Sequence, residues 1–152
     1  MQNNLFPSIS PDVLEEAEQE QEEVFWGRSW KFDIQAREFV TTPTGKVVEA
    51  DEMEAYIQWC YAALNTPRYR HVIYSRSHGH EFDDIIGKDL TREAIESEIK
   101  RIVTETLMVS RRTSSVSNFR FRWESDALYY TCDVTTARGD TFTLSERVEA
   151  VV

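Results

Sequence analysis

The last third of the chain leaves the least freedom of folding. Phe119, Phe121 and Trp123 alternate with Arg120 and Arg122, Ser125-Asp126 supplies a tight turn, and Leu128, Tyr130, Cys132 and Val134 alternate on the return. Gly139-Asp140 then turns the chain into Phe142 and Leu144. Side chains two apart on a strand share a face, so each run buries one side and wets the other. Short turns between such runs join neighbours antiparallel. A three-stranded antiparallel meander follows, and the upstream chain has to cover its apolar face.

Two amphipathic helices can do so. Asp51 with Glu54 three residues on forms a capping box, and Met53, Ile57, Cys60 and Leu64 make one apolar stripe, widened by Tyr56, Trp59 and Tyr61. Asn65 to Pro67 ends this helix, because Pro67 disfavours the α-region for Thr66. Thr91 caps the second helix, with Glu93 in its first turn and a buried face of Ile95, Ile99, Ile102, Val103 and Leu107; Arg111 to Ser115 breaks the pattern. Further upstream, Trp30, Phe32 and Ile34 alternate as a half-buried strand, and Glu38 to Thr42 and Lys46 to Glu49 read as two short strands around Thr44-Gly45. The fold class is α+β: a small N-terminal β-unit, then two helices packed on the C-terminal meander. Residues 28–152 form the single domain, and residues 1–27 an acidic tail or arm with Phe6, Phe25 and Trp26 as anchors.

Charge narrows the functions open to such a chain. Residues 1–24 hold Asp12, Glu15, Glu16, Glu18, Glu20, Glu22 and Glu23 and neither Lys nor Arg, so they carry −7 of the formal −10. A chain this acidic is repelled by nucleic acid and by anionic membranes. Cys60 and Cys132 lie far apart within apolar patterns and read as buried thiols of a reducing compartment.

Residues 69–90, YRHVIYSRSHGHEFDDIIGKDL, hold the residues most suggestive of chemistry. They read as a short apolar strand at Val72-Ile73-Tyr74, a polar turn at Gly79 and a turn ending at Gly87. His78 and His80 with Glu81, Asp83 or Asp84 suggest a metal, but spacing of two with no distant third ligand favours solvent-exposed turn histidines. Glu81 with Asp83 or Asp84 could serve glycoside hydrolysis, which needs one carboxyl in an apolar pocket facing another across a cleft. Asp83-Asp84 instead suits the start of a helical turn. Neither cysteine has a basic sequence neighbour to activate it, and the five isolated glycines form no phosphate loop. Arg138-Gly139-Asp140 matches an adhesion tripeptide but is explained as a hairpin turn.

The runs WKFDIQAREFVTTPTGKVVEAD, MEAYIQWCYAALNTPRYRHVIYS, EFDDIIGKDLTREAIESEIKRIVTETL and VSNFRFRWESDALYYTCDVTT carry a resemblance covering about residues 28–145. The chain resembles the XkdS-like baseplate proteins of contractile phage tails and phage-tail-like bacteriocins, related to the T-even wedge subunit that initiates the sheath. The phrase IYS, an acidic turn ending in IGKDL, then TRE is its strongest part. Relatives more often show Asp, Tyr, Gly and Asn at Ser77 to His80, and the Glu-Pro-Arg tripeptide of the T-even subunit does not occur here. The resemblance implies a non-enzymatic part of the virion tail baseplate, assembled in the host cytoplasm, with no cofactor, nucleic acid or membrane contact. Its implied partners are the tail sheath protein and other wedge and hub proteins, in a hexameric ring. Strand addition is implied at the meander, on Tyr129, Thr131, Asp133, Thr135, Thr141, Thr143 and Ser145. Baseplate contact is not carried over to named residues by the resemblance. Arg120 and Arg122 read from their alternation as a basic ridge opposite the aromatic core, either a solvated face or a dock for an acidic partner or the acidic tail, and Glu16 and Glu20 of that tail suit a basic partner surface. Some relatives carry a lysozyme label, so the alternative is a peptidoglycan hydrolase of the tail using Glu81 or Asp84.

Overall fold

The structure, a computed structural model, describes residues 23–85 and 87–149. In chain order it runs β1 (Ser29–Trp30), β2 (Phe32–Asp33), β3 (Glu38–Phe39), β4 (Glu49–Ala50), α1 (Glu52–Leu64), a 3-10 turn at Phe82–Asp84, α2 (Arg92–Met108), β5 (Thr113–Glu124), β6 (Ala127–Thr136) and β7 (Thr141–Val148). The class is α+β with a C-terminal meander of order β5-β6-β7.

The meander forms as its alternation requires. Leu128, Tyr130, Cys132, Val134 and Leu144 are buried on one face, against Ile99, Ile102, Val103 and Leu107 of α2 and Tyr56, Cys60 and Leu64 of α1. Each fully buried side chain of this size contributes about 1.5–3 kcal/mol, so this layer dominates the stability. β5 starts at Thr113, inside the stretch expected to break the pattern, and its register with β6 shifts between Thr113 and Ser115 and between Ser117 and Arg120. Asn118 has φ +53, a conformation that suits the second irregularity.

Both helix caps are in place. Glu54 N–H donates to Asp51 Oδ1 at 2.7 Å and Asp51 N–H to Glu54 Oε2 at 3.2 Å, while Thr91 Oγ1 accepts from Ala94 N–H at 3.3 Å. The buried face of α1 centres on Tyr56, Cys60, Ala63 and Leu64, with Met53 and Ile57 only half-buried at its rim. The N-terminal unit pairs β1 with β4 and β2 with β3. The Gln58 amide of α1 holds it, accepting from Phe32 N–H at 2.7 Å and donating to Trp30 O at 3.0 Å. Ile34 falls in a turn, since Asp33 Oδ1 accepts from Gln35 N–H and Ala36 N–H and ends the strand there. Packing begins before residue 28: Trp26 is buried, and its carbonyl accepts from Arg112 at 3.1 Å.

The expected strand at Val72-Ile73-Tyr74 is absent, because the chain there closes on itself. Arg68 N–H donates to His80 O at 2.8 Å and His80 N–H to Thr66 O at 2.9 Å, so the residues between turn back rather than run along a sheet. The loop is Ω-shaped, with its ends adjacent. Val72 is fully exposed and Ile73 88% exposed. Gly79 sits at the neck with φ +99, where a Cβ would lie 2.4 Å from Thr66 O.

Candidate assembly surface

The meander offers a partner two different things, a face and two edges. Its outer face carries Tyr129, Thr131, Asp133 and Thr135 of β6, flanked by Arg120 and Arg122 of β5 and by Thr141, Thr143, Ser145 and Arg147 of β7. The Arg122 guanidinium lies 5.0 Å and that of Arg147 5.5 Å from the Tyr129 ring centroid, so one tyrosine gathers two cations. Both arginines also meet carboxylates, Arg122 with Glu124 at 3.1 Å and Arg147 with Glu149 at 3.2 Å. Asp133 accepts from Asn118 Nδ2 at 2.9 Å and from Thr143 Oγ1 at 2.8 Å, and these hydrogen bonds hold its carboxyl below the usual carboxylate range. The face is thus basic at the end bearing Tyr129 and polar at the other.

The edges are decided by strand order. β6 is central, with neighbours on both sides, so Tyr129, Thr131, Asp133 and Thr135 cannot pair with an added strand; they offer side chains only. Only β5 and β7 have an outer edge. Antiparallel neighbours alternate between pairs that exchange hydrogen bonds and pairs that do not. Thr136 N–H bonds Asp140 O at 2.8 Å, whereas Ser145 N–H points away from β6 to Tyr61 Oη at 3.5 Å. This phase turns the backbone groups of Phe142, Leu144, Glu146 and Val148 inward, and those of Thr141, Thr143, Ser145 and Arg147 outward. β7 keeps an unshifted register along its length, while β5 carries two shifts and has α2 leaning on it through Trp123 Nε1 to Glu96 Oε1 at 2.8 Å and Arg92 over the Trp123 ring. An edge of regular register is the better template for an added strand.

The histidines and acids of residues 78–84 are placed differently from expectation. His80 is buried, not exposed: its ring stacks on Phe82 and its Nδ1 accepts from Phe82 N–H at 3.1 Å. Burial lowers its pKa, with Arg68 acting in the same direction and Asp83 against it. His78 is half-buried between the Trp59 and Tyr74 rings, at 6.1 and 4.5 Å between centroids. Among the described residues no three His, Cys, Asp or Glu side chains meet as a metal cluster. Glu81 pairs with Arg68 at 3.0 Å and Arg68 Nε donates to Gly79 O at 3.1 Å, so this carboxylate clamps the neck of the loop. Asp83 and Asp84 are exposed on the 3-10 turn. Both thiols are buried, which pushes each up to about 12. Glu16 and Glu20 lie outside the described residues.

Two surface features went unread in the sequence. Arg147 continues the outward phase of Thr141, Thr143 and Ser145, and that spacing alone could have found it. The exposed Tyr69, Val72 and Ile73 had no such signal, since an apolar triplet reads as a strand until its ends are known to meet. Over 134 residues, 87% of this chain and 91% of the other, the sequence is 30% identical to the phage-like element PBSX protein XkdS of Bacillus subtilis (strain 168). Residues 28–139 match the family described as contractile injection system sheath initiator. With that match spanning most of the chain, the protein belongs to the sheath-initiator family of contractile injection systems and is a structural component of a phage-type contractile tail.

Proposed function

We propose that the chain docks on the baseplate through the basic outer face around Arg120, Arg122 and Arg147, and starts the tail sheath by taking an incoming strand onto β7. The observation that carries this reading is the phase of β7, whose Thr141, Thr143, Ser145 and Arg147 each turn one donor and one acceptor outward. Backbone pairing supplies affinity in strand addition, and alternate side chains supply selectivity. At about 1 kcal/mol net per backbone hydrogen bond, four such residues give several kcal/mol before the cost of ordering the incoming segment. Two of these donors are already engaged at long range, Ser145 N–H with Tyr61 Oη at 3.5 Å and Arg147 N–H with Glu146 Oε2 at 3.4 Å, and both contacts give way readily to a carbonyl of a new strand. The partners in this reading are the tail sheath protein on the edge and wedge and hub proteins on the face, with six copies forming a ring that sets the register of the first sheath layer.

Thr143 gives the test. Thr143→Pro deletes an outward donor without removing a ladder bond to β6, whereas Thr143→Ala keeps the donor and removes only the side chain. Baseplates carrying each variant are mixed with purified sheath protein and imaged by electron microscopy. Sheath growth is expected to fail on the Pro baseplates and persist on the Ala ones, with both variants folded by thermal unfolding. Sheaths of normal length on the Pro baseplates would overturn strand addition at β7.

A further inference from the structure

Away from the meander, a cleft of about 720 Å³ opens between the N-terminal β-unit, α1 and the Ω-loop, lined chiefly by Trp26, Trp30, Phe39, Trp59, Tyr74 and Arg112. Not one of its lining residues is acidic, although the chain carries a formal −10. Trp30 and Phe39 remain 53% and 54% exposed, a large amount of aromatic surface to leave in water. The cleft continues onto the loop through rings in sequence: Trp59 meets His78, His78 meets Tyr74 at 4.5 Å, and Tyr74 meets His71. Beyond Tyr74 stand the exposed Ile73 and Val72. Arg28 and Arg112 line the cleft, and between the ion-paired Arg68 and His80 the loop carries Arg70 and Arg76 and no acid, so the apolar surface has a cationic border. The loop is pinned at its neck by Arg68–Glu81 and by Thr106 Oγ1 donating to Gly79 O at 3.3 Å, so it presents this surface without prior ordering.

What fits it is an acidic segment with apolar anchors. The chain contains one: residues 12–22 hold Asp12, Glu15, Glu16, Glu18, Glu20 and Glu22 with Val13 and Leu14, and no cation. The position of its end matches. Glu23, Val24 and Phe25 line a second cleft that shares Trp26, Gly27 and Arg112 with the first. Residues 12–22 therefore join the described fold at the mouth of the aromatic cleft, and at about 3.3–3.6 Å per residue they can run its length and reach the loop.

We propose that the aromatic cleft and the tip of the Ω-loop form a docking surface for the chain's own acidic segment, residues 12–22, within the same copy. Carboxylates pair with the arginine border while Val13 and Leu14 cover the rings, so the segment shields aromatic surface that water would otherwise touch. This does not depend on strand addition at β7, which lies on the separate C-terminal sheet.

Three of the four tryptophans, Trp26, Trp30 and Trp59, line the cleft, so indole fluorescence of the full-length protein reports on it. The wild type is compared with a full-length variant carrying Glu15→Gln, Glu16→Gln, Glu18→Gln, Glu20→Gln and Glu22→Gln. Acrylamide quenching is expected to increase and the emission to shift to the red in the variant, with far-ultraviolet circular dichroism unchanged. Ile73→Asp, at the exposed tip, is expected to act in the same direction. Raising salt to about 1 M, where the screening length falls to about 3 Å, moves the wild type towards the variant. Identical quenching and emission in the wild type and the Gln variant overturn the proposal. Sedimentation velocity decides the placement: a monomer at every concentration supports docking within one copy. Self-association that the Gln variant abolishes means the segment reaches a second copy, and overturns it.

Discussion

Thr113 makes a sharp quantitative test of how the sheet is held to the helices. Its Oγ1 donates to Leu107 O at 2.7 Å, so its single proton is committed there, and the 2.7 Å contact with Tyr56 Oη must have the tyrosine as donor. The chain of bonds runs from α1, through the first residue of β5, to the last turn of α2, and Tyr56 and Thr113 are both buried. Thr113→Val keeps the shape and removes the acceptor, leaving the buried Tyr56 hydroxyl without a good partner. The Cys60 thiol bonded to the same hydroxyl is a weak acceptor and recovers little. Leu107 O suffers less, because Ser110 N–H still reaches it at 3.3 Å. An orphaned buried polar group costs about 1–3 kcal/mol, so Thr113→Val should cost about 2 kcal/mol and lower Tm by about 4–8 °C for a chain of this size. Tyr56→Phe removes the donor and loses one net hydrogen bond, about 1 kcal/mol. In the double variant no hydroxyl is left orphaned, so its cost should be about 1–1.5 kcal/mol, well under the sum of the singles. Denaturant unfolding of the four proteins measures the cycle. A double variant additive to within about 0.5 kcal/mol would refute the donor assignment and the coupling drawn from it.

Gly79→Ala should destabilise by more than about 2 kcal/mol, since φ +99 strains any L side chain and the new Cβ would meet Thr66 O at 2.4 Å; a neutral effect on the denaturation midpoint would mean the neck of the loop is not held as described. The thiols give a pH dependence. Folded Cys60 and Cys132 are pushed up to about 12 from an ordinary value near 9, so the unfolded chain releases their protons first as pH rises. Their contribution is complete below about pH 9 and declines as pH climbs towards 12. Unfolding free energy of the wild type should therefore fall more steeply between about pH 9 and 12 than that of the Cys60→Ala, Cys132→Ala variant; equal slopes would contradict thiol burial.

The helices and the meander are legible because their signals are local. Asp51 with Glu54, and Thr91, mark helix starts through side-chain bonds that span three residues, and the alternation of Leu128 to Val134 needs no partner to be recognised. The phase of α1 was less so. Tyr56, not Ile57, takes the centre of the buried face, because its hydroxyl finds Thr113, 57 residues away. Ser114, Ser115 and Ser117 hide the start of β5, since the lone Val116 among them, on a strand broken by register shifts, makes no apolar period. Val72-Ile73 misleads for the opposite reason: its composition is that of a strand, while the bonds joining Thr66, Arg68 and His80 decide its shape. The central place of β6 was available, since two consecutive hairpins allow no other order, and it leaves unpaired edges only on the outer strands.

An open edge is also a hazard, and the charges around β7 bear on how a sheath initiator stays apart before it meets the sheath. Strand addition uses backbone groups that any chain possesses, including a second copy of this one, so selectivity against self-pairing has to come from elsewhere. The formal −10 gives every copy the same sign and sets a repulsion that acts at range, falling off over about 8–10 Å at ordinary salt. Side chains beside the edge add a shorter-range condition. Thr141, Thr143 and Ser145 offer small polar groups to a partner, and Arg147 ends the row with a cation held beside the Tyr129 ring and Glu149. Two β7 edges meeting antiparallel about Ser145 would bring Thr143 of each copy opposite Arg147 of the other, a neutral hydroxyl facing a guanidinium that already meets its own Glu149, so this pairing gains no new charge contact. An incoming strand from a different protein gains a charge contact that self-pairing does not if it places an acid opposite Arg147. Under the proposed strand addition to β7, an acid at that place in the incoming strand would set its register, so the proposed edge joins a backbone phase to one charge at its end.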